Sequence, residues 1–407
     1  MEIRPILSTL ARHKTAAALI ALEIALSCAI LCNAMFLVMQ RLDTLHLPSG
    51  IDERNLLLAQ VGAIGTPADG DARTRDDLVA LRAIPGVTAA AVVNQVPFRN
   101  NSWNTSLSTR PDQDVPTLTA AQYMVGEGAL KTMGLKLVAG RDFLPTEFKS
   151  VDAINKANDM SALKSSVILS APAASKLFPG SSPIGKTIYM ADVQLTVVGV
   201  VQTLMRPGQM NGNRTYSVVF PAAMNFANGG RYLVRVSDPA RRTDVAKAIE
   251  STLAKVDANR VIQPAITYED SRNEYFATDR DMIGLLLIVS VLLLLVTALG
   301  IVGLASFWVQ QRTKQIGIRR ALGATRGQIL RYFQLENFLL ASIGIGLGML
   351  LAYAINQLLM GKYELPRLPW QYLPVGALAL WLLGQLAVLG PARRAARVSP
   401  AIATRSA

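Results

Sequence analysis

The chain has 407 residues, 51% of them hydrophobic and only 17% charged. A soluble domain carries about 25% charged residues, so disorder, a collagen-like fibre and a small disulfide scaffold are excluded, and part of the chain meets lipid rather than water. The net charge of +13 is not a nucleic-acid footprint, because residues 1–14, 310–336 and 391–407 hold 13 of the 41 Lys and Arg with two acids, Glu2 and Glu336, and each piece flanks an apolar run. Flanks of this kind mark the cytoplasmic ends of membrane helices.

Residues 1–14 are predicted to form a cytoplasmic amphipathic helix, with Ile3, Ile6, Leu7 and Leu10 on one face and Arg4, Arg12 and Lys14 elsewhere. From 6 to 47 there is neither Gly nor Pro, so these 42 residues can form one helix. At about 1.5 Å per residue it spans roughly 63 Å, twice the hydrocarbon thickness of about 30 Å. Its apolar part, 16–39, exceeds a signal-peptide core and no small-x-small cleavage site follows, so 15–47 are expected to be a retained first span with an external extension.

Glu23 interrupts that span. An acid at a helix centre costs roughly 2.5–3.5 kcal/mol on insertion scales and such residues often mark function. Glu23 is therefore a candidate intramembrane functional acid, the plainer alternative being a carboxylate near the inner headgroups or paired with a neighbouring span. Cys28 and Cys32 share one helical face without further ligands, which favours apolar packing over a metal site.

Residues 48–267 have ordinary soluble composition and no cysteine, so a hydrophobic core must hold this exported domain. Short β-like runs at 166–169 and 195–201 alternate with helical segments at 76–84 and 244–256, a mixed α/β pattern suggesting two subdomains. The run Gly180-Ser-Ser-Pro-Ile-Gly-Lys-Thr187 matches a phosphate-cradling loop letter for letter. A helix-like segment, 172–178, precedes it and a strand-like one, 187–190, follows, the reverse of what phosphate binding needs, so it is expected to be a turn.

Residues 268–309 read as a polar stalk running without Pro into a second span, 282–309, which has no charge. Helical character can continue to Gln315, with Glu269, Asp270, Glu274, Asp279 and Asp281 as a solvated face. Segment 310–336 is basic. Residues 316–322 are helix-compatible, Gly323 suits a left-handed cap, and Thr325 with Gln328 makes a capping box for a new helix. A third span (337–360), a ten-residue external loop (361–370), a fourth span (371–390) and a basic cytoplasmic tail (391–407) complete the chain. Four spans place both termini on the cytoplasmic side. Gly344, Gly346 and Gly348, with Gly300 and Gly303, permit close helix packing. His13 and His46 have no nucleophile partner, and no catalytic centre is evident.

Residues 312–325, Arg-Thr-Lys-Gln-Ile-Gly-Ile-Arg-Arg-Ala-Leu-Gly-Ala-Thr, resemble the "RTREIGIRRALGAT" signature of MacB/FtsX-type permeases of ABC transporters. Residues 81–87, 133–143, 178–188 and 197–201 resemble landmarks of that family's periplasmic core domain, and 391–400 resembles its C-terminal tail; the loop at 180–187 falls on the family's PxGK turn. The resemblance implies an inner-membrane α-helical protein of four transmembrane helices, with a large mixed α/β periplasmic domain inserted between helices 1 and 2. It implies dimers, with itself or a paralogous permease, energised by cytoplasmic ATPase subunits that push the corner between the second and third spans, with export as the outcome. The sequence has no credible Walker motif and no LSGGQ signature, so ATP and Mg are expected in a separate partner and no cofactor on this chain. A periplasmic adaptor and membrane lipid are further partners; nucleic acid is not. Residues expected to couple to the ATPase are Arg312, Lys314, Ile316, Arg319, Arg320, Gly323, Thr325 and Arg326. The alternatives are a membrane-anchored sensor or scaffold whose periplasmic domain binds a ligand, or a mechanotransmitter like FtsX and the lipoprotein-releasing permeases.

Overall fold

The computed structural model describes residues 14–65, 67, 69–99, 102–155, 165–208, 214–363 and 367–399. The helix expected over 1–14, save Lys14, and the tail beyond 399 lie outside them. Two units result, one helical (Met1–His46 with Thr278–Ala407) and one α/β (Leu47–Ala277).

The helical unit contains α1 (Lys14–Leu45), α2 (Ala277–Gln311), α3 (Thr313–Ala321), α4 (Arg326–Tyr363) and α5 (Tyr372–Ala396). All but α3 are long and apolar enough to cross a membrane. Ile24, Cys28, Cys32 and Phe36 of α1 pack into one cluster with Leu340, Ala341 and Ile345 of α4 and Ala377 and Leu380 of α5. Glycines set how closely these helices approach. A methyl group on Gly348 would lie 2.5 Å from Cys28 Cβ, one on Gly344 would lie 2.8 Å from Ile24 Cβ, and one on Gly376 would lie 2.5 Å from Cys32 Sγ. Gly346 and Gly303 meet nothing within 4 Å, so the four-residue spacing of 344 and 348 selects the packed face.

Helix α2 is held differently. Only 11% of its most apolar stretch is buried, against 50% in α1. Ser27 and Thr297 hydroxyls hydrogen-bond at 2.8 Å and Arg41 pairs with Asp279, while Ile301 and Trp308 join the apolar cluster that contains Ile20 and Ile24 of α1. The sequence reads 268–309 as one helix, but the structure breaks it at Phe276 (φ −93°, ψ 9°), after a short helix Tyr268–Tyr275. The cause is the Phe276 ring, buried in the α/β unit with its centroid 5.0 Å from that of Phe98. Burying that ring outweighs helix continuity, which a Pro-free sequence would otherwise favour.

The α/β unit is built on two main sheets. The five-stranded sheet runs 260–262, Leu56–Ala63, Arg231–Val236, Val87–Val93, with 266–267 also on the first of these central strands, all antiparallel. Leu57, Ala59 and Val61 face helices Gly70–Arg82 and Arg242–Val256, while Leu56 and Leu58 face Tyr123, Ile168 and Val219 of the second sheet. Both faces are covered, which is why Leu56 to Ala59 read as an unbroken apolar run rather than alternating. The second sheet has seven strands, with Val193–Val201 paired in parallel to Ser165–Ser170 and antiparallel to Thr187–Met190. Helix Ala171–Leu177 covers its far face through Ala173, Ala174 and Leu177.

Candidate functional site

The site begins where α2 ends. Arg312 leaves helical geometry (φ −103°, ψ 11°) and its side chain turns inward, where Nη1 donates to both carboxylate oxygens of Glu336 on α4 at 2.9 and 3.0 Å. Glu336 is 1% exposed. The guanidinium lies 5.3 Å from the Trp308 ring, an added cation–π contact, but its Nη2 finds no hydrogen-bond partner among the described residues.

Helix α3 follows, cradled rather than free. Ile316 packs with Val309 of α2, Ile329 and Phe333 of α4, and Ala392, Ala395 and Ala396 of α5. Small residues at the end of α5 allow that close approach. Gly323 closes α3 with φ +98°, donating to the Arg320 carbonyl at 3.2 Å while Ala324 N donates to the Arg319 carbonyl at 3.0 Å. Arg320 Nη1 donates to the Ala324 carbonyl at 3.2 Å, so this cation caps the turn it belongs to. Helix α4 then opens with both reciprocal bonds of a capping box: Thr325 N to Gln328 Oε1 at 2.8 Å and Gln328 N to Thr325 Oγ1 at 3.2 Å.

All eight residues singled out in this segment thus meet at one corner, in two roles. Arg312 and Ile316 are buried and hold α3 to the bundle; Lys314, Arg319, Gly323, Thr325 and Arg326 are exposed, and Arg320 is half-buried. Arg319 also lies 5.2 Å from the Tyr332 ring. Glu23 is elsewhere, its carboxylate pressed against Gly300 of α2, where an added methyl would come within 2.6 Å of Oε2. Gly300 is twelve residues from Arg312 along α2, roughly 18 Å of rise. Glu336, Trp308 and Leu322 are members of the corner that the sequence reading did not single out. Glu336 had one visible signal, being the only acid in a basic stretch of 27 residues.

The phosphate-loop look-alike lies in the α/β unit as a turn between helix Ala171–Leu177 and strand Thr187–Met190. Its backbone donors are already engaged, Gly185 N with the Val197 carbonyl at 2.8 Å and Lys186 N with the Pro183 carbonyl at 3.1 Å. Lys186 Nζ donates to Ser181 Oγ at 2.6 Å and sits 4.8 Å from the Phe178 ring. A strand and not a helix follows the loop, so it lacks the helix N-terminus on which a phosphate-cradling loop depends. Among the described residues no cluster of His, Cys, Asp and Glu could hold a metal ion.

Comparison with known proteins places this geometry in a family. A model of the MacB-like periplasmic core domain matches residues 15–252, and one of the FtsX-like permease C-terminal region matches 287–400. The chain is 27% identical over 296 residues to the macrolide export ATP-binding/permease protein MacB of Chromobacterium violaceum, covering 70% of this chain and 43% of that protein. It is 24% identical over 339 residues to the uncharacterized ABC transporter permease YknZ of Bacillus subtilis strain 168, covering 82% and 79%. The crystal structure of the periplasmic region of MacB from Actinobacillus actinomycetemcomitans aligns with TM-score 0.34 and 18% identity, over 55% of this chain and 94% of that one. This chain spans less than half the length of the MacB relatives it matches. With four spanning helices, an α/β domain between the first and second, and both family models together covering most of the sequence, the chain belongs to the MacB/FtsX family of ABC transporter permeases.

Proposed function

We propose that the chain is the non-catalytic permease subunit of an export system, with both termini cytoplasmic and ATP and Mg bound by a separate ATPase subunit. The observation that carries this reading is the α2–α3–α4 corner. A short helix with exposed cations is capped by a left-handed glycine, and its buried face is keyed into the ends of three spanning helices. A push on α3 is therefore delivered to α2, α4 and α5 together. Helices α1 and α2 are the segments that enter and leave the α/β domain, so displacement of α2 has a covalent route to it. A second permease, identical or paralogous, would complete the assembly, and a periplasmic adaptor would extend it.

The test is purification of the full chain in mild detergent with identification of co-purifying subunits and an ATPase assay. Recovery with an ABC ATPase whose activity the chain stimulates is the expected result. The variant Gly323→Val forces a β-branched residue into a left-handed turn at a cost of about 1–2 kcal/mol. No neighbour lies within 4 Å of that position to clash with it. Stimulation should be lost while membrane insertion stays normal. A chain recovered alone, under conditions that preserve a known ABC complex, or one indifferent to Gly323→Val, would favour the membrane-anchored sensor or scaffold.

A further inference from the structure

Between α1, α2, α4 and α5 the helical unit encloses a cavity of about 20 Å³, its wall including Ile20, Ala305, Trp308, Glu336, Asn337 and Val388. Most of that wall is apolar, but three polar residues share it, all buried: Trp308 is 4% exposed, Asn337 7% and Glu336 1%. Trp308 Nε1 on α2 and Asn337 Nδ2 on α4 have no hydrogen-bond partner among the described residues. A buried donor left unmet is costly, and two on the wall of one cavity call for a shared acceptor. The third group can itself accept. Glu336 takes a bond from Arg312 at each carboxylate oxygen, and a carboxylate has about four lone-pair sites.

A cavity holds a water once it offers roughly 10–15 Å³, and a buried water makes about three hydrogen bonds. Size and chemistry agree here. Glu336 on the wall turns away an anion, while a cation meets two donors with the Arg312 guanidinium beyond them. A neutral group that accepts twice and donates once suits all three partners. We infer that the cavity is the binding site of one ordered water, which accepts from Trp308 Nε1 and Asn337 Nδ2 and donates to Glu336. It ties α2 to α4 beside the Arg312–Glu336 pair. A direct side-chain bond in that place would fix one spacing between the helices. A bridging water re-forms its bonds over a range of spacings, so the joint can slide without stranding a buried donor.

The experiment is X-ray hydroxyl-radical footprinting of the full-length chain in nanodiscs, read by mass spectrometry, because radicals formed from a bound water oxidise side chains that bulk radicals do not reach. Trp308 is expected to be oxidised despite its burial. Ala305→Val adds two methyl groups to the cavity wall and Asn337→Leu replaces a donor with an apolar side chain. Each should abolish oxidation of Trp308 while Trp370, 74% exposed, keeps its own. Stability supplies an independent sign. With the water bound, Asn337→Leu strands Trp308 Nε1 and lowers the unfolding midpoint; in a dry cavity it removes an unmet donor and raises it. Wild-type Trp308 left unoxidised, oxidation that survives both substitutions, or a midpoint raised by Asn337→Leu each overturns the site.

Discussion

Among the described residues two Arg–carboxylate pairs are buried, one in each unit, and they are built differently. In the α/β unit Arg260 uses both Nη atoms on the two oxygens of Asp77, at 2.5 and 2.6 Å, and donates further to the Leu253 and Asp257 carbonyls. Tyr232 donates its hydroxyl to the same carboxylate and the Phe226 ring lies 5.2 Å from the guanidinium. At the corner, Arg312 reaches Glu336 through Nη1, and its Nη2 has no hydrogen-bond partner among the described residues. A buried pair with its lone pairs and protons satisfied fixes one arrangement; one that is half satisfied gives up less when it rearranges. The first suits a core that stays put. The second suits a joint that moves.

Removing one partner tests the contrast most strongly. Asp77→Ala leaves Arg260 buried and uncompensated and is expected to cost about 3–5 kcal/mol, read as a large drop in the unfolding midpoint of the full chain in detergent. Replacing both partners sharpens the comparison. Arg312→Met with Glu336→Leu should stay within about 1 kcal/mol of the parent while losing ATPase stimulation, because apolar residues can fill that space. Arg260→Met with Asp77→Leu should cost about 2 kcal/mol, since Tyr232 and two carbonyls lose their partner. The reverse order would end the contrast. A third pair, on the surface, sets the lower end of the scale. The Arg141 guanidinium, both Nη atoms 2.8 Å from Glu147, holds that carboxyl at about 2, with Ser166 and Leu144 N adding bonds. A depressed folded value means its stabilisation is complete above about pH 5 and is lost as pH falls toward 2. Because the Arg141 side chain is 45% exposed, screening reduces this to on the order of 1 kcal/mol. Glu147→Gln should flatten the acid limb of a thermal-stability profile by that amount and leave the neutral limb parallel.

The four spans were legible because 18 or more apolar residues admit few other readings. The mixed α/β character of the unit Leu47–Ala277 was legible from β-like and helical segments bounded by turns. The Gly323 turn and the Thr325–Gln328 box follow from local chemistry: each needs only residues within a few positions of itself. What the sequence hid is long-range. Arg312 reads as one more cation in a basic loop, because its acid is 24 residues away on another helix. The break at Phe276 depends on Phe98, far off in the chain, burying a ring that looks equally at home inside a helix. Gly344, Gly346 and Gly348 look alike as letters; only the crossing of α1 separates the packed pair from the idle one.

That crossing has a consequence for how the sequence can drift. Four residues of α1 stand against glycines of three other helices: Glu23 on Gly300 of α2, Ile24 and Cys28 on Gly344 and Gly348 of α4, and Cys32 on Gly376 of α5. At Gly300 and Gly376 the close atoms are side-chain atoms only, so a methyl group gained there can be offset by a smaller residue at 23 or 32. At Gly344 and Gly348 the backbone carbonyls of Ala21 and Ala25 would also lie 2.8 and 2.6 Å from the added methyl, so no exchange of side chains on α1 makes room and these two glycines are fixed by the backbone itself.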